Sequence, residues 1–125
     1  MRVAFDLQPV LSNKFSGFHT FGMELFRGFQ RLEKPPEFIF FFPRSMHSKA
    51  IGMLSEFSLP YICRPTRITR RWLKDLWQSS PAPSLQFFTG DFDIYHCFHH
   101  FMPPTKRRPK IMTVHDLRRH KLPEL

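Results

Sequence analysis

The chain has 125 residues and carries 19 Lys and Arg against 10 Asp and Glu, a formal charge of +9. That length leaves room for one ordinary domain rather than two. With 42% hydrophobic residues and 16 Phe, the chain is too apolar for a disordered basic tail, and its longest apolar run, Phe38 to Phe42, is far short of the roughly 20 residues that span a bilayer.

Taken in chain order, Arg2 to Leu7 is a short, mostly apolar run without clean alternation, which predicts a strand buried on both faces of a parallel sheet. Asp6 interrupts the apolar start, so no secretory signal is expected and a cytoplasmic location is the default. Pro9 to Gly17 is rich in breakers and reads as a loop. From Thr20 to Leu32, Phe21, Leu25, Phe29 and Leu32 recur at helical spacing, completing a βα unit that Pro35 and Pro36 close.

Glu37 to Phe42 predicts a second strand, and Ser45 to Phe57 a helix carrying Met46, Ala50, Met53, Leu54 and Phe57. Leu59 to Cys63 predicts a short third strand bounded by Pro60 and Pro65. Ile68, Trp72, Leu73, Leu76 and Trp77 mark an amphipathic helix that stops at Ser79-Ser80-Pro81. Phe92 to Phe98 and Lys110 to Val114 predict the fourth and fifth strands.

Alternating strands and helices imply an α/β fold, a Rossmann-like doubly wound parallel sheet in which ligands sit beyond the carboxyl ends of the strands. Three loops are expected to meet there: Pro9 to His19, His99 to Pro104, and His115-Asp116.

The sequence now resembles a known family. Met1-Arg2-Val3-Ala4-Phe5-Asp6, the loop Ser16-Gly17-Phe18-His19-Thr20, the segment Asp91-Phe92-Asp93-Ile94-Tyr95-His96, and Thr113-Val114-His115-Asp116-Leu117 with the trailing Leu122-Pro123-Glu124 look like the N-terminal half of a family 4 glycosyltransferase. The resemblance covers nearly the whole chain in order. It implies a GT-B fold whose first domain receives the acceptor while a second holds the nucleotide sugar. The chain is then the acceptor-side domain over residues 1–125, incomplete at its C-terminal end and inactive without the donor-binding domain. The implied ligands are a nucleotide-sugar donor and a glycan or lipid-linked acceptor, with no cofactor.

By that resemblance, His115 and Asp116 match the acceptor-side His-Asp pair and are the candidate catalytic residues. The glycine-bearing turn at Gly17 would face the donor diphosphate through free amides at a helix start. Here Phe18, His19, Thr20 and Phe21 replace the glycine and arginine common in relatives, so His19 stands in for the arginine.

Each signal has a plainer alternative. Gly17 is also an ordinary turn residue, and His115 with Asp116 can simply cap a strand end and the next turn. His96, Cys97, His99 and His100 resemble metal ligands, but His96 and Cys97 are adjacent in a strand and point to opposite faces. No metal is expected, and His96, His99 and His100 are read as acceptor-binding groups. Cys63 and Cys97 are read as free core thiols.

The helix bearing Arg67, Arg70, Arg71, Lys74 and Trp77 is either a packed helix, with Trp72, Leu73 and Leu76 in the core, or a peripheral contact with an anionic membrane at its inner face. A basic nucleic-acid-binding module is the competing function, and a fragment without independent activity a third. No nucleic-acid partner is expected, because the phenylalanines fall at core periods and no RNA- or DNA-binding signature is present.

Overall fold

A computed structural model describes residues 1–12, 17–68, 70–97 and 103–113. Its strands are β1 (Arg2–Asp6), β2 (Glu37–Pro43), β3 (Tyr61–Thr66), β4 (Ile94–Cys97) and β5 (Lys110–Met112). They form one sheet in the order β3-β2-β1-β4-β5, with every neighbouring pair parallel. Phe5 at the centre lies opposite Phe40 on one side and His96 on the other.

The helices are α1 (Gln8–Ser12), α2 (Gly17–Gln30), α3 (His47–Leu54), α4 (Arg70–Ser79) and α5 (Gln86–Thr89). They cover both faces, as the expected doubly wound architecture requires. Strand residues alternate between faces. Val3, Phe5, Phe38, Phe40 and Phe42 pack under α1, α2 and α3 with Val10, Leu11, Met23, Phe26, Ala50 and Leu54. Ala4, Ile39, Phe41 and Tyr95 form the second core with Leu85, Phe92 and Trp77.

The first core is an aromatic lattice. The fully buried Phe26 ring stands edge-on to Phe5 at 5.3 Å, Phe38 at 5.8 Å and Phe40 at 5.2 Å. Each such contact adds about 0.5–1.5 kcal/mol beyond the area it buries.

Several boundaries differ from the sequence expectation, for local reasons. The segment expected as loop from Pro9 contains α1, which starts where the Asp6 carboxylate accepts the Gln8 amide at 3.1 Å. A proline in a first helical turn forfeits no hydrogen bond. In α2 the buried stripe is Gly22, Met23 and Phe26, with Leu25 and Phe29 packed at its edge. Phe21 and Leu32, expected on that face, are exposed.

The helix expected over Ser45 to Phe57 opens as a 3-10 turn at Arg44–Met46 and ends at Leu54. β3 runs to Thr66 and takes in Pro65, which an edge strand tolerates because its outer amide needs no partner. On α4 Leu73 is buried and Trp77 half-buried against the second core, whereas Trp72 and Leu76 are exposed, Trp72 at 71%. The short α5 was not expected at all. Gly90 closes it with a φ of +79°, a conformation suited to glycine.

Candidate functional site

The connections from β1 and from β4 leave in opposite directions across the sheet, and the carboxyl ends of these two adjacent strands mark the topological switch point of such folds. A small cleft lies at the carboxyl ends on the α4 face. Asp6, Phe41, Tyr95 and Trp77 line it, with Gln8, Thr66, Lys74 and Pro103 around them.

Asp6 ends β1 and is only 5% exposed. A carboxylate so deep requires polar partners, and the Gln8 amide is one of them. Tyr95 is 1% exposed, and its ring lies 6.1 Å from that of Phe41. Thr66 is buried at the end of β3, its hydroxyl 3.2 Å from the Ile68 carbonyl and 3.4 Å from that of Phe42. The Trp77 indole N–H donates to the Pro83 carbonyl at 2.6 Å, fixing the ring as a wall. Lys74, exposed on α4, brings a cation to the rim.

The residues singled out in the sequence divide between the two faces. His96 follows Tyr95 and therefore turns to the α2 face, where its ring stands edge-on to Phe5 at 5.5 Å. Its Nε2 lies 2.7 Å from the Thr113 hydroxyl. His19 is on the α2 side too, and its Nδ1–H donates to the Val10 carbonyl at 2.8 Å, tying α2 to α1. Gly17 begins α2, and a side chain there would meet open space. His99, His100, His115 and Asp116 lie outside the described residues.

Lys74 and Trp77, which belong to the helix with the membrane-contact alternative, line the cleft. Arg67 and Arg71 are exposed, and the aromatic that α4 presents outward is Trp72. Of Arg70 only the backbone is described.

Asp6, Gln8, Thr66 and Tyr95 were not anticipated as site residues. Asp6 gave a usable signal: an acid closing a strand that is otherwise buried is out of place unless it has a partner or a task.

Burial pushes the Cys63 thiol above its ordinary pKa, keeping it in the unreactive protonated form. Among the described residues no three His, Cys, Asp or Glu side chains gather to hold a metal ion, and no helix is long and apolar enough to cross a membrane. Comparison with protein-family models, curated proteins and solved structures finds no match.

Proposed function

We propose that these residues form the acceptor-side domain of a glycosyltransferase, which receives a glycan or lipid-linked acceptor while a donor-binding domain outside them holds the nucleotide sugar. The observation that carries this reading is the buried Asp6 carboxylate in a cleft walled by Phe41, Trp77 and Tyr95. Saccharides present two chemistries at once: an apolar C–H face that lies against aromatic rings, and hydroxyls that donate to carboxylates. Few convergent polar groups in an aromatic cleft are the usual make-up of a small-molecule site.

Asp6 accepts from an acceptor hydroxyl, and Lys74, Thr66 and Gln8 contact its neighbours. A carboxylate positioned this way also draws the hydroxyl proton as the oxygen becomes a nucleophile. The family resemblance implies the same kind of domain independently of the cleft, without giving Asp6 a role. It adds Gly17 and the His115-Asp116 pair, and it puts the donor diphosphate near the start of α2.

Titration of the chain with oligosaccharides, nucleotide sugars and oligonucleotides, followed by indole N–H resonances, tests the reading. Oligosaccharides are expected to shift Trp77. Asp6→Asn should weaken them about ten- to a hundredfold, the equivalent of a charge-assisted hydrogen bond of about 1.5–3 kcal/mol. Oligonucleotides shifting these resonances while saccharides do not would overturn it in favour of a nucleic-acid module.

A further inference from the structure

The end of the sheet where the strands begin, away from the cleft, carries a second constructed feature. Residues 103–109 lead into β5 through a bend held from several sides. The Gln86 side-chain amide donates to the Lys106 carbonyl at 2.9 Å and accepts the Lys106 N–H at 3.1 Å. The Thr105 hydroxyl donates to the Arg108 carbonyl at 2.8 Å. Arg108 grips Asp91 with two hydrogen bonds, of 2.9 and 3.3 Å. Arg107 has a φ of +57°, a conformation costly for an arginine unless its surroundings impose it.

The bend brings three successive cations to one open depression, lined by Gln86, Asp91, Lys106, Arg107 and Arg108. Asp91 compensates Arg108. Lys106 and Arg107 are exposed and, among the described residues, make no ion pair. Three cations against one carboxylate leave the depression at 3 − 1 = +2. Like charges repel, and a slack loop would let them part, whereas the Gln86 clamp and the Thr105 bond hold this backbone in place. Gln86 has a further N–H to offer, because its amide nitrogen carries two and gives one to Lys106.

We infer that this depression binds the phosphate group of a small phosphate monoester. The charge count decides the class. A monoester carries about −1.5 to −2 near neutrality, which balances the depression, whereas a carboxylate or a phosphodiester brings a single negative charge and leaves one cation uncompensated. The Arg107 guanidinium suits two phosphate oxygens at once, and Lys106 adds a point charge. A single-stranded nucleic acid calls for aromatic platforms along a basic groove, and none of the five lining residues is aromatic. The inference is independent of the saccharide reading, because none of these residues lines the cleft at Asp6.

Titration of the whole chain with methyl phosphate and with dimethyl phosphate at fixed ionic strength, followed by backbone amide resonances, tests it. Methyl phosphate is expected to shift Gln86, Lys106 and Arg107 saturably and to leave the Trp77 indole unmoved. Dimethyl phosphate, with half the charge, should bind about tenfold more weakly. Lys106→Ala and Arg107→Asn should each weaken methyl phosphate about three- to tenfold. Both positions are exposed, asparagine tolerates a positive φ, and the amide spectrum verifies that the variants fold. Arg67→Ala/Arg71→Ala should retain the affinity. Equal binding of the two phosphates, or an equal loss in the α4 variant, would reduce the patch to general counter-ion attraction and overturn the assignment. Binding confined to a single-stranded oligonucleotide or to phosphatidylglycerol vesicles would overturn it as well.

Discussion

Val10 and Gly22 touch backbone to side chain. A Cβ built on Gly22 would lie 2.6 Å from one Val10 methyl and 3.1 Å from the other. Val10 is fully buried and, being β-branched, has little rotamer freedom with which to yield. The absence of a side chain at Gly22 is therefore what lets α1 lie against α2 and hold the end of β1 in place.

Gly22→Ala is accordingly expected to destabilise the fold by about 1–3 kcal/mol through overpacking, although alanine would gain about 1 kcal/mol in an unobstructed helix. Val10→Ala in the same chain should recover part of the loss. Urea denaturation of the two single variants and the double variant measures the coupling, and simple additivity would show that the two residues do not constrain each other.

The Arg108 guanidinium, hydrogen-bonded to Asp91, holds that carboxyl below its ordinary pKa. The folded state thus favours the ionised form. Its contribution is complete above the ordinary aspartate value of about 4 and disappears as pH falls through the lowered folded value. Urea melts of the parent and of Asp91→Asn should differ by a constant amount near neutrality and converge below about pH 4. A difference that persists unchanged in acid would refute the linkage.

On α4 the burial pattern predicts unequal costs for two leucines three residues apart. Leu73 is 4% exposed and Leu76 39%. Leu73→Ala should cost about 2–5 kcal/mol, and Leu76→Ala about 1 kcal/mol or less. Thermal or urea melts decide this, and equal losses would mean that α4 is rotated from the orientation described.

Cys63, its thiol pushed up by burial, should react with iodoacetamide more slowly in the native chain than in the chain unfolded by urea. Peptide mass analysis resolves its rate from that of Cys97. Equal native and unfolded rates would show that the β3 edge opens readily.

The alternation of apolar runs and amphipathic segments made the parallel, doubly wound sheet legible, because buried strands and helical stripes follow directly from burial. What stayed hidden depended on contacts distant in sequence. α1 begins at an Asp6 carboxylate that could be read as an interruption of an apolar stretch. The rotation of α4, which half-buries Trp77 and turns Trp72 outward, follows from the Trp77 bond to Pro83 and its edge contact with Phe88 at 5.9 Å. Periodicity alone cannot choose between two tryptophans five residues apart. The cleft was obscured for a related reason: its lining is drawn from the ends of β1 to β4, the segments after them and α4, so its residues share no motif and meet only when the sheet forms.

The polarity of the sheet adds a geometric consequence. The five residues of β1, at about 3.3 Å each, cover roughly 17 Å, and they separate the Asp91–Arg108 pair from the cleft at Asp6. The two ends of the sheet are therefore independent surfaces: a substitution that breaks the ion pair leaves the neighbours of Asp6 in place, and a molecule seated at Asp6 reaches the ion pair only if it is longer than the strand.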